Sequence, residues 1–370
     1  MKVIFITREG QRLPGARIRC YNFAKELNKH GLETEVLSFS DSLGAKDGEH
    51  ESGMSFKEKV KHNWHAFNRL KMAKDAVFYI QRFNYHSFAP YLVHFLRRNK
   101  MILDLDDWEM RENPKDYLGF YPSSKAHYFT RQIAKRSVFC IAASRFLEDF
   151  LLEFNKKVYY MPTGVDTELF KAIPKNINKE SIVFSWVGTL HKKEYIDNID
   201  FALSCFTLLR KTYPHIYFEI VGDGIFVDEL KKIVSRYNDK NILFKGWLDP
   251  SAIPEYLSSI DIGLLPVVEN TKFNRAKSPT KLFEYMAMAK PTISSYVGET
   301  PVIVQSGMNG FLSRTKDEFV GNMRLLIENP DLHCQIGKKA RKTIEERYSL
   351  DILGRQLLEI IKVNCVQISK

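Results

Sequence analysis

Apolar positions recur along the chain in two rhythms that alternate regularly. Short runs rich in β-branched and aromatic residues ("VIFIT", "TEVLSF", "AVFYIQ", "MILDLD", "SVFCIAAS", "VYYMP") have the composition of strands. Between them lie stretches with apolar residues three and four apart, such as "ARIRCYNFAKELNKHG", a helix that Gly31 closes. A second series, "SIVFSWVG", "IYFEIVG", "ILFKG", "DIGLLPV" and "PTISSY", repeats the alternation downstream. Continuous apolar strands separated by helices indicate parallel sheets covered on both faces. Two such series predict an α/β protein of two doubly wound, Rossmann-like domains. Residues 161–181, rich in Pro, Gly, Asn and Lys and without sustained periodicity, form the expected linker. The tail carries two more helical patterns separated near Ser349.

Composition narrows the class. At 370 residues the chain exceeds one core of ordinary size. Hydrophobic content of 44% predicts a well-packed soluble protein, and no apolar run approaches the ~20 residues a spanning helix needs. The N-terminus enters a strand-like "MKVIFIT" with no signal-peptide pattern. Five scattered cysteines without a CxxC pair point to a reducing cytoplasm and away from structural zinc. Net charge of +11 favours an anionic partner. No RNP-like aromatic pattern, zinc finger or basic heptad supports nucleic acid.

Ligands of open parallel sheets bind beyond the carboxyl ends of the strands, so the strand-to-helix loops carry the candidate chemistry. In "KSPTKLFEYMAMAKP", residues 277–291, Ser278 is the expected N-cap and Pro279 the first helical residue. The amides of Thr280, Lys281 and Leu282 then make an anion site at the positive end of the helix dipole. Glu284 lies on the same face as Thr280 and Lys281 and could accept hydrogen bonds from a diol. Its plainer role is an ion pair with Lys281 on a capped core helix. In "REGQRLPGAR", Gly15 lets a ligand approach the backbone or simply makes a turn. The loop is not GxGxxG, which disfavours a dehydrogenase. "DLDDW" places Asp104, Asp106 and Asp107 at a strand end, where they could accept a proton, grip sugar hydroxyls or cap the next helix. Asp104 and Asp106 also spell DxD, a spacing that can hold a metal-bound diphosphate. Lys192 and Lys193 follow a glycine turn and could reach a diphosphate, and Trp247 could pack on a base or in the core. In residues 56–74, Phe56, Val60, Trp64 and Phe67 form a helical stripe among lysines. That stripe either packs on its own sheet or meets an anionic membrane surface.

The ordered set of loops resembles glycosyltransferase family 4, the retaining nucleotide-sugar transferases of GT-B architecture. "MPTGVDTELF", "SWVGTL", "FEIVGDG", "ILFKGWLD", "IDIGLLPV" and "SPTKLFEYMAMAKPTISS" occur in family order, and "GARIRCYNFAKEL" and "ILDLDDW" are similar to one subgroup. The resemblance covers nearly the whole chain. It implies a GT-B fold with domains over residues 1–165 and 166–349 facing a central cleft, and a final helix, about 350–370, packed back on the first. It implies transfer of a sugar from a UDP or GDP donor to a glycan or lipid-linked acceptor in cell-surface glycan synthesis, without metal or other cofactor. The amides from Thr280 onward would meet the diphosphate, Glu284 the ribose, and Trp247 the base. The expected location is cytoplasmic, at the inner face of the plasma membrane; aromatics in "DYLGFYPSSKAHYF" suit such an acceptor. Three departures stand out. Ala276 replaces the first glutamate of E-x7-E, Thr189 replaces the common arginine after "VG", and Asp104 and Asp106 occupy the region of a missing histidine. A nucleotide-sugar 2-epimerase, a phosphorylase or a noncatalytic sugar-binding relative shares the layout.

Overall fold

The computed structural model describes residues 1–46, 54–110, 125–172 and 181–365, with the backbone alone at 116–117 and 121–122. Parts of the aromatic stretch (118–120 and 123–124) and of the linker (173–180) lie outside the described residues.

The first strand–helix series builds β1 (Lys2–Thr7), β2 (Glu33–Ser38), β3 (Val77–Gln81) and β4 (Met101–Leu105). A two-residue pair, β5 (Asp116–Tyr117) and β6 (Tyr121–Pro122), precedes β7 (Phe139–Ala142) and β8 (Val158–Tyr160). Six strands form a parallel sheet in the order β2-β1-β3-β4-β7-β8, and β5 pairs β6 antiparallel. The second series builds β9 (Ile182–Val187), β10 (Ile216–Val221), β11 (Ile242–Gly246), β12 (Ile262–Leu265), β13 (Thr292–Ser295) and β14 (Phe311–Ser313). Its sheet, also parallel, runs β11-β10-β9-β12-β13-β14. Every residue of β3, β4, β7 and β12 is buried, which explains why these strands read as near-continuous apolar runs, broken only by Gln81 and Asp104, rather than alternating ones. Strand order reverses between β1 and β3 in one sheet and between β9 and β12 in the other. Those two points are where an open α/β sheet binds ligands.

The chain divides into two compact units. One comprises Met1–Gly164, Thr271–Ser278 and Leu350–Lys370; the other comprises Val165–Asn270 and Pro279–Ser349. The helix Leu350–Cys365 buries Leu353, Leu357 and Ile361 against Val3, Phe5, Phe23 and Leu27 of the first unit. Each such side chain contributes roughly 1.5–3 kcal/mol through apolar burial. Residues 271–278, which the sequence pattern leaves in the second domain, pack with the first. There the short helix Lys272–Ala276 places Arg275 over the Phe146 ring at 4.6 Å and Lys272 over Trp108 at 5.7 Å. Ala276 is fully buried in that unit's core. A glutamate at this position would put a carboxylate among apolar side chains, at a desolvation cost.

Candidate functional site

In the second unit, the helix Thr280–Ala287 is locked to the sheet by Tyr285. The Tyr285 hydroxyl accepts from Val187 N–H at 2.9 Å and donates to the Ser185 carbonyl at 3.2 Å, both on β9. Its ring lies on Gly263 of β12, where any Cβ would come within 2.4 Å of it. Leu282, Phe283, Met286 and Ala287 are buried around it. The start of the helix is thereby fixed at the switch point of the sheet.

Two details of that start differ from the sequence expectation. The cap residue is Pro279 and makes no side-chain cap bond, while the Ser278 hydroxyl accepts from Thr163 N–H at 2.7 Å. Ser278 therefore tethers the 271–278 segment within the first unit instead of capping. The Leu282 amide donates to the Pro279 carbonyl at 3.0 Å, so it closes the first turn and is not directed at a ligand. Thr280 and Lys281 precede it as the first two residues of the helix.

Lys281 adds a charge at the same place. Its Nζ lies 3.7 Å from the centroid of the Trp186 ring, a close cation–π contact on a nearly fully buried indole. A Cβ on Gly188, in the turn after β9, would approach that Nζ to 2.7 Å and Trp186 Cη2 to 2.9 Å. A side chain here would have to displace the ammonium and press on the Trp186 ring. Glu284, one turn further, is half-buried on the face that carries Lys281.

The other lysines are placed differently. Lys193 opens the helix Lys193–Arg210, is exposed, and pairs with Asp197 at 3.0 Å, which raises its pKa. Lys192 is the exposed residue just before that helix. Thus the cation set against the β9 turn comes from Lys281. Trp247 is 54% exposed directly after β11, an indole presenting a free face rather than a core residue.

In the first unit, the strand-end carboxylates are committed to guanidinium groups. Asp104 is fully buried; Arg19 donates to both of its oxygens (Nε at 2.8 Å, Nη2 at 2.6 Å) and Tyr79 Oη donates at 2.8 Å. Arg19 also donates to the carbonyls of Met161 and Pro162. This is a structural knot tying the first helical segment to β4 and the chain after β8, so Asp104 is withdrawn as a catalytic candidate. Asp106 pairs electrostatically with Arg82 (Nε to Oδ1 2.8 Å) and accepts from Gln81 Nε2 at 2.9 Å through Oδ2, while Oδ1 has no hydrogen bond of its own among the described residues. Burial pushes its carboxyl up to about 7, against the opposing pull of Arg82.

Arg82 organises a polar cluster at the β1/β3 switch point. It adopts the left-handed region (φ 54°), pairs with Glu109 at 2.8 Å, and lies under Gly15, whose Cβ would meet Nη2 at 2.6 Å. A side chain at Gly15 would therefore displace the Arg82 guanidinium. Burial works against ionisation of Glu9, but Arg82 and Arg8 still hold it below the usual range. His86 is buried, donates from Nε2–H to the Gln81 carbonyl (2.9 Å), and is driven by burial down to about 3. Its Nδ1 has no partner. With Arg8, Glu9, Gln81, Asn84 and Glu109, these groups enclose about 10 Å³, room for a single water. A wider depression of about 590 Å³ runs along Tyr21, Lys25 and β2, away from the strand ends that carry this chemistry.

Arg8, Glu9, Arg19, Arg82 and His86 escaped the sequence reading. Arg19 had a signal: it falls on the apolar stripe of Ala16, Phe23 and Leu27, where a charge requires a buried partner. Arg82 and His86 had none, because their partners are 24 or more residues away in the chain or are backbone groups.

Two parallel six-stranded sheets with helix-borne groups at their switch points define the GT-B fold. The chain superposes on the Anabaena protein HepE, crystallised with UDP and glucose, with TM-score 0.72, 17% identity, and coverage of 98% of this chain and 100% of that one. A glycosyltransferase from Rickettsia africae matches with TM-score 0.72 and 17% identity over 100% of this chain and 99% of its own. Residues 181–329 match the model of the family described as Glycosyl transferases group 1. A putative teichuronic acid biosynthesis glycosyltransferase, TuaH of Bacillus subtilis, is 24% identical over 55% of this chain and 51% of its own length. The N-acetyl-alpha-D-glucosaminyl L-malate synthase of Bacillus anthracis is 30% identical over 35% of this chain and 32% of its own. The chain matches about half the length of its first curated relatives.

Proposed function

We propose that this protein is a retaining glycosyltransferase that moves a sugar from a UDP-linked donor to a hydroxyl of a glycan or lipid-linked glycan. The observation that carries the reading is the Lys281 ammonium, seated on Trp186 beneath the Gly188 turn at the β9/β12 switch point. When the bond between the sugar and the diphosphate breaks, the leaving group gathers negative charge. Lys281 and the amides of Thr280 and Lys281 stabilise that charge in a preorganised setting. Glu284 accepts from the ribose hydroxyls, and the exposed indole of Trp247 stacks on the base. Lys281 takes the part of the cation that Thr189 cannot supply.

UDP is favoured over GDP because similar folds, HepE and the Staphylococcus aureus protein TarM, were crystallised with UDP. Names of the curated relatives (teichuronic acid and colanic acid biosynthesis) support a cell-surface glycan as the product. Five free cysteines, four of them buried, suit a cytoplasmic setting. Transfer needs no divalent metal: both carboxylates of the DxD spacing are held by arginine.

Incubation with UDP-sugars and acceptor glycans, followed by NMR, tests this. The expected product keeps the donor's anomeric configuration and forms equally well in EDTA. An inverted linkage, or activity lost in EDTA and restored by Mn²⁺, would refute it.

A further inference from the structure

The helix Phe56–Leu70 turns one face of its apolar residues outward. Ala66 and Leu70 pack in the core of the first unit, whereas Phe56, Val60 and Trp64 are 79%, 51% and 60% exposed. These three stand at i, i+4 and i+8 and so form one strip along the helix. Packing on the protein's own sheet, the alternative the sequence left open for this stripe, accounts only for Phe67, which is half-buried and stacks with Trp64 at 5.8 Å.

We propose that this strip, with Phe56, Val60 and Trp64 inserting and Lys57 and Lys61 flanking them, docks the protein on an anionic lipid surface. Three observations favour lipid over a protein partner. Residues 56–74 hold six basic side chains against one acid, Glu58. Interfaces between proteins are depleted in lysine, whereas anionic bilayers attract it. Glu58 itself is occupied: it accepts from Ser55 N–H at 2.7 Å while Ser55 Oγ accepts from the Glu58 amide, a closed capping box. The box fixes the helix from its first residue, so docking does not require it to fold. A tryptophan beside lysines whose stems can lie along apolar surface suits the headgroup boundary. The neighbouring helix Phe88–Arg97, joined through Ala89 N–H to Asn63 Oδ1 at 3.0 Å, exposes Phe95 and Leu96 beside Arg97.

Vesicle flotation of the full chain tests the proposal, and its outcome is independent of donor binding. Vesicles of phosphatidylcholine containing phosphatidylglycerol should carry the protein; phosphatidylcholine alone should not. The paired substitution Phe56→Ser/Trp64→Ser should lower the partition coefficient about tenfold or more, with an unchanged melting temperature because both side chains are exposed. Lys57→Gln/Lys61→Gln should weaken binding to the anionic vesicles. The proposal is overturned if the protein stays unbound with anionic vesicles, or if the serine pair binds like wild type. It is equally overturned if the strip instead mediates a dimer in sedimentation that the serine pair dissolves.

Discussion

Asp104 and Asp106 stand two residues apart at one strand end, yet their surroundings give them different roles. Asp104, bonded to both nitrogens of Arg19 and to Tyr79, is part of a fully buried ion pair whose disruption would cost about 3–5 kcal/mol. Asp106 ionises only near pH 7 because burial outweighs Arg82. Its folded pKa lies above the unfolded value of 3.8, so its contribution to stability is complete below about pH 4 and is lost as pH rises through about 7. Asp106→Asn should therefore gain on wild type by on the order of 2–4 kcal/mol between pH 4 and pH 8 in urea unfolding. Parallel stability curves for the two proteins across that range would show that Asp106 does not titrate there. None of this was visible in "DLDDW": carboxylates at a strand end announce polarity, but their partners Arg19 and Arg82 are set by folding.

The helix Thr280–Ala287 shows what an element can and cannot reveal in sequence. Its existence, its buried face and the position of Glu284 were legible from Ser-Pro followed by an apolar run. Its cap was not, because Ser278 finds Thr163 N–H, a group 115 residues earlier in the chain. Nor was the role of Lys281, which depends on the Trp186 ring and the bare turn at Gly188. The three form one unit, and Gly188→Ala should displace the ammonium and weaken UDP binding about tenfold. In a Lys281→Met background the same change should have little further effect on UDP affinity. Calorimetry on the four proteins of this cycle would show it, and fully additive losses would mean that Gly188 acts through something other than Lys281.

At the scale of the whole molecule, two strand–helix rhythms were enough to give two doubly wound sheets. They could not show that residues 271–278 pack with the first unit, since helical periodicity specifies a buried face and not the core that receives it. The same limit hid the burial of Ala276 in the core of the first unit. The proposed donor site brings a diphosphate to Lys281 and the neighbouring amides while Glu284 holds the ribose. Calorimetric titration of UDP into wild type, Lys281→Met and Glu284→Ala is the most direct test. Each substitution should weaken binding by about 1–3 kcal/mol, the loss of one charged hydrogen bond, with the folded state intact by circular dichroism. UDP affinity unchanged in both variants would contradict the account.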